Sequence, residues 1–207
     1  GPGPTILGGG SAADHGVFIG PGVTIGPNVT IGAASVPAPV GEQIVRPADY
    51  DPRRFDPIAY LPRAAALARE LLPDARLTSL EFDPAFSDGH VDLTADGRDR
   101  EYEFRSPARS AFPAGRPANL PARRRCRVHV EVGAGSISAR VVESDTCSAR
   151  FVHPPRCSFA AVWRQALAAG AKPDLIARIG WLSDETWFFD LAPDGAGGVS
   201  AFADHCQ

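Results

Sequence analysis

The chain has 207 residues, of which 44% are hydrophobic, 22% charged and 8% aromatic, enough to bury one sizeable core or two small ones. That excludes wholesale disorder and a disulfide mini-protein, and a net charge of −3 supplies no global basic field for nucleic acid. Met is absent, Gly (21) and Pro (20) are abundant, and Lys172 is the one basic residue among 21 that is not Arg, which together suggest a processed form or excised fragment from a high-GC bacterial coding sequence.

The opening Gly1-Pro2-Gly3-Pro4 looks like part of a cleavage scar and is set aside. Residues 5–40 form a Gly-rich, nearly uncharged arm in which Ile19, Ile25 and Ile31 recur every six residues, each followed by Gly, with Val23, Val29 and Ser35 at the same interval. This stretch, about 19–36, resembles one coil of the hexapeptide repeat of left-handed β-helix proteins, including many acyltransferases. One coil leaves both ends uncovered, and the only nearby His, His15, lies outside the repeat, so the acyltransferase activity is not carried over. The arm is read as an extended linker or a short β-prone segment that packs on the domain or on another chain.

A Pro-rich connector follows, 41–56 in the domain plan. Asp56-Pro57 signals a helix start, although Pro62 moves the expected regular part to near Leu61. Leu61, Ala64, Ala65, Ala68, Leu71 and Leu72 keep helical spacing until Pro73. Strands are expected at Leu77–Phe82, His90–Ala95 and Arg100–Arg105, the last two from alternation of Val91/Leu93 and Tyr102/Phe104 with polar neighbours. After a Pro-rich crossover (107–121), Gly133-Ala134-Gly135 joins Arg127–Val132 to Ile137–Val142 in a hairpin, within 122–147. Ser158 caps a second helix carrying Phe159, Val162, Trp163, Ala166 and Leu167 and ending at Gly170. Strands at Leu175–Ser183, Thr186–Leu191 and Gly198–Ala203 close the chain.

The expected fold class is therefore α+β: a duplicated helix plus antiparallel three-strand meander, units about 57–106 and 157–206, joined by the hairpin and preceded by the arm. This order, with Tyr102-Glu-Phe104 and Trp187-Phe-Phe189 in corresponding strands, resembles the PepSY family of small extracytoplasmic domains. The resemblance implies a non-catalytic module serving inhibition, chaperoning or anchoring, and transfers no functional residue.

Four cysteines, Cys126, Cys147, Cys157 and Cys206, lie at element margins, with no C-x-x-C pair and no zinc-knuckle spacing. Two disulfides in an oxidising compartment are expected over free thiols. Three connectivities are open, with Cys126–Cys147 and Cys157–Cys206 preferred.

Gly-x-Ser-x-Gly, P-loop, dinucleotide and His-Glu-x-x-His motifs are all missing. Asp88, His90 and Asp92 alternate and could hold a cation from one strand face, but a solvated face is the favoured reading, as is cross-strand pairing for His129. Arg123, Arg124 and Arg125, with Arg105, Arg109 and Arg127, form one basic patch that could meet an anionic partner; a solvated loop is favoured. Phe188 must face away from Trp187 and Phe189, so it is either covered or part of an apolar interface. No run of 18 apolar residues spans a bilayer. The expected function is a non-catalytic structural or interaction module of the periplasm, secreted fraction or cell surface, without cofactor, metal or nucleic acid. It meets a protein partner or itself through residues 5–40, with Ile19, Ile25, Ile31, Phe188 and the Arg patch as interaction candidates, and an upstream membrane anchor is compatible. A PepSY-like peptide- or protease-binding module and an enzyme of unrecognised type are the alternatives.

Overall fold

A computed structural model describes residues 43–110, 124–144, 147, 150–191 and 198–206, so the arm with Ile19, Ile25 and Ile31, together with Arg123, lies outside the described residues. The strands are β1 (Gln43–Pro47), β2 (Arg76–Ala85), β3 (Arg100–Arg105), β4 (Arg124–Val132), β5 (Ser136–Ser144), β6 (Ala177–Trp181), β7 (Trp187–Asp190) and β8 (Val199–Phe202). The helices are α1 (Pro57–Leu71), the single turn α2 (Pro107–Ser110) and α3 (Phe159–Ala168). All eight strands belong to one antiparallel sheet in the order β1-β5-β4-β3-β2-β6-β7-β8. The architecture is α+β, mostly sheet.

The period-2 pattern decides the two faces. Leu80 and Phe82, Tyr102 and Phe104, Val128 and Val130, Ile179 and Trp181, and Trp187 and Phe189 all turn to one side and are buried. The long helices lie on that side. The Tyr102 hydroxyl donates to the Pro57 carbonyl of α1 at 2.8 Å. Phe159 of α3 meets Phe82 and Trp187 with ring centroids 6.3 and 5.8 Å apart, and Trp163 meets Phe189 edge-on at 4.9 Å. Each such ring, fully buried, contributes about 2–3 kcal/mol.

Local chemistry sets the helix limits. The Asp56 carboxylate accepts from the Ile58 and Ala59 N–H groups at 2.9 and 3.0 Å, a cap worth about 1 kcal/mol. Helix α1 therefore starts at Pro57, a turn earlier than the expected start near Leu61. Pro62 sits in the second turn, where its missing N–H forfeits a single intrahelical bond. Ser158 caps α3, and Gly170 (φ 102°) ends it while Ala171 N–H reaches back to the Ala166 carbonyl at 2.9 Å.

Three expectations change. Residues 90–95 are not a strand. Val91 and Leu93 are buried, as their alternation implied, but only Val91 bridges, to Phe55 and Ala85. The backbone there is satisfied from outside a ladder: Leu93 N–H bonds Pro52, and the Arg100 guanidinium donates to the carbonyls of Asp83, Leu93 and Ala95. The expected 57–106 unit therefore holds one helix and two strands, β2 and β3, and the next strand on β3 is β4, from outside it. Finally, the 41–56 connector contributes an edge strand, β1, which pairs with β5 and ends at Pro47.

Both preferred disulfides form. Cys126–Cys147 closes the open end of the β4–β5 hairpin, and Cys157–Cys206 joins the start of α3 to the segment after β8. Gly89 (φ 87°) lies against α3, where a Cβ would come within 2.5 Å of the Ala160 backbone nitrogen. No described helix is long and apolar enough to cross a membrane.

Candidate functional site

The second face of the sheet gathers most of the ionisable side chains of the strands, and among the described residues no helix packs on it. In β3, Glu101, Glu103 and Arg105 alternate with the core aromatics; in β4, Arg127, His129 and Glu131 do the same. Antiparallel register puts Glu103 opposite His129 and Arg105 opposite Arg127.

Glu103 is the centre of this cluster. Its carboxylate accepts from Arg105 Nε at 2.8 Å and Arg127 at 2.6 Å, and His129 Nε2 lies 3.5 Å away. His129 Nδ1 approaches Glu101 at 3.2 Å, while the Arg127 guanidinium also lies 2.7 Å from His129 Nε2. Burial pushes the Glu103 carboxyl up, but hydrogen bonds from His129 and Arg105 and the charge of Arg127 outweigh it and hold it at about 2. Hydrogen bonds to Glu101 and Glu103 raise His129 to about 9, against the opposing charge of Arg127. Both imidazole nitrogens thus have partners, Nδ1 facing Glu101 and Nε2 shared between Glu103 and Arg127, an arrangement unsuited to a general base.

A second knot surrounds Arg178 of β6. Its guanidinium pairs with Glu81, Asp99 and Asp190 at 3.2, 3.3 and 3.5 Å and stacks on the Phe188 ring 5.0 Å away. Phe188 therefore faces away from Trp187 and Phe189 as expected, half-covered by a cation. Burial, with the Asp99 charge next, raises the Glu81 carboxyl, which Arg178 opposes. Beside this knot a depression of about 520 Å³ has Asp83, Asp96, Asp99 and Asp190 in its wall with Arg98 and Arg178. Asp83 accepts two backbone N–H bonds there, and Asp99 and Asp190 hold Arg178.

Of the basic patch, Arg123 lies outside the described residues. Arg105 and Arg127 belong to the Glu103 cluster, whereas Arg109 donates to the Arg125 carbonyl and Arg124 to the Arg109 carbonyl. Asp88 and His90 share Arg54, and Asp92 binds Thr94, so these three do not converge on a cation. Cys157, Asp204 and Cys206 approach one another, but their sulfurs form the disulfide and Asp204 accepts from Arg156 and Cys157 N–H and from Trp187 Nε1. That set offers no thiolate for a metal.

The Glu103 cluster escaped sequence reading because the pairing of β3 with β4 spans the Pro-rich crossover. Its signal was present all the same: Glu-Tyr-Glu-Phe-Arg and Arg-Val-His-Val-Glu are alternating strands of complementary charge. No protein-family model matches the chain, and neither a curated protein nor a solved structure is similar to it. The resemblances to PepSY domains and to hexapeptide-repeat proteins rest on element order and on the six-residue period alone.

Proposed function

We propose that this chain is a non-catalytic extracytoplasmic structural or interaction module that joins a larger assembly through its N-terminal arm, residues 5–40. The observation that carries the reading is β1: the first strand that follows the arm in the chain, Gln43–Pro47, stands at an edge of the sheet among the described residues rather than at its centre. Two disulfides fit an oxidising compartment, periplasmic, secreted or at the surface of a high-GC bacterium. The pairing of Glu103, His129 and Arg178 with neighbouring charges supports a non-catalytic role. The two helix–meander halves, whose first strands β2 and β6 pair antiparallel at the centre, are read as copies of one unit.

A PepSY-like peptide-binding role would draw on a groove lined by Phe188 or Trp181. Trp181 is buried and Phe188 lies under Arg178, which favours the assembly reading. Deleting residues 5–40 and measuring mass by light scattering tests it: the parent exceeds 21.8 kDa and the truncated chain falls to a monomer. An oligomer that survives the deletion refutes it.

A further inference from the structure

We propose that the Asp96–Gly97 peptide is a site of spontaneous isoaspartate formation, in which the Gly97 backbone nitrogen closes on the Asp96 carboxyl. The proposal goes beyond the assembly reading and does not depend on it. Two Asp-Gly pairs lie among the described residues, Asp88-Gly89 and Asp96-Gly97, both in segments that connect regular elements. A glycine after an aspartate sets no Cβ beside the attacking nitrogen and leaves the backbone free to approach the side chain. By sequence alone the two pairs offer the same chemistry, and the fold separates them.

At Asp88-Gly89 both reacting groups are engaged. The Gly89 N–H donates to the Phe86 carbonyl at 2.8 Å. The Asp88 carboxylate accepts from the His90 N–H at 3.1 Å and pairs with Arg54 at 3.4 Å and with the His90 ring at 3.3 Å. Gly89 is buried against Ala160 of α3 at a φ of 87°. Attack from this nitrogen requires those bonds to break and the turn to withdraw from the helix.

At Asp96-Gly97 neither group is held. Both residues are exposed, and among the described residues the Gly97 N–H meets no acceptor and the Asp96 carboxylate no donor or cation. The loop is anchored on either side instead. The Arg100 guanidinium donates to the Ala95 carbonyl, and the Arg98 and Asp99 N–H groups donate to Asp83 Oδ1 at 2.7 and 2.8 Å. Gly97 is also required where it stands, since a Cβ there would run into the Asp83 carbonyl and the Arg100 guanidinium.

The reaction balances with water alone. The Gly97 nitrogen bonds to Asp96 Cγ and gives up its proton, and the carboxyl hydroxyl leaves with that proton as water, closing a succinimide. Water then opens the ring at one of its two carbonyls. Opening at Cγ restores aspartate; opening at the Asp96 main-chain carbonyl leaves the chain running through Cβ, one methylene longer. That methylene falls between the two anchors, in the wall of the depression that also holds Asp83 and Arg178.

The test incubates the full chain for weeks at pH 7.4 and 37 °C, folded with its disulfides intact and, in parallel, unfolded in urea. Electron-transfer fragmentation breaks an isoaspartyl residue at its Cα–Cβ bond, which tells Asp88, Asp96 and Asp194 apart. In the folded chain isoaspartate is expected at Asp96 at least about tenfold faster than at Asp88, the ratio given by a barrier difference of about 1.4 kcal/mol. In urea the two rates should converge. Asp96→Glu, whose carboxyl is one carbon too far for five-membered closure, should lose the signal at 96 and leave that at Asp88 unchanged. No isoaspartate at Asp96 in the folded chain, or equal rates at the two sites there, overturns the proposal. A preference for Asp96 that persists in urea also overturns it, since neighbouring residues rather than the fold would then choose the site.

Discussion

Glu103→Gln is the most informative single perturbation of the folded core. The amide keeps the shape but leaves Arg105, Arg127 and His129 without the anion they share. A carboxyl held at about 2 rather than its ordinary 4.5 corresponds to about 3 kcal/mol of folding free energy. Part of that is screened by solvent at a side chain 14% exposed, so a loss of about 2 kcal/mol is expected at pH 7. For a domain of this size it lowers the melting temperature by about 4–8 °C. The sign with pH is set by the direction of the shift: the folded-state value is depressed, so the contribution is present above 4.5 and is lost as pH falls toward 2. Parent and variant, melted by circular dichroism from pH 2 to pH 8 with disulfides intact, should differ most at neutral pH and converge in acid. A gap below about 0.5 kcal/mol at pH 7, or one of constant size down to pH 2, would refute the role given to this carboxylate.

His129 titrates with the opposite sign: raised to about 9 from 6.5, it stabilises the fold fully below pH 6.5 and loses that contribution as pH rises through 9. His129→Gln should therefore flatten the alkaline limb of the parent's stability profile, read by urea denaturation at pH 6 and 10. Replacing Cys157 and Cys206 with Ser removes a cross-link spanning 49 residues and should cost about 4 kcal/mol, against about 3 for the 21-residue Cys126–Cys147 link; equal losses in denaturant melts would contradict the loop-length argument. Gly89→Ala forces a side chain at φ 87° into the Ala160 backbone and should cost at least about 2 kcal/mol, so a variant with parental stability would show that the turn can move away from α3. Asp56→Ala deletes the cap of α1 and should cost about 1 kcal/mol by thermal melting, while Asp56→Asn retains most of it.

Features governed by local chemistry were legible in the chain. Caps and stops placed α3 and the end of α1, period-2 alternation found β3, β4 and β5, and margin placement of the cysteines indicated both disulfides. Even at 90–95 the alternation correctly buried Val91 and Leu93 and erred only in conformation, because burial depends on side-chain pattern whereas a strand needs a partner for its backbone. Tertiary structure alone decided that Arg100 would supply part of that backbone bonding, that β1 would come from an apparent connector, and that β3 would lie beside β4. The last of these made Glu103 and His129 neighbours and brought Arg105 and Arg127 onto the same carboxylate. Charge type is written along the chain, but the distance between opposite charges, and with it their energy, depends on strand order set by long-range closure.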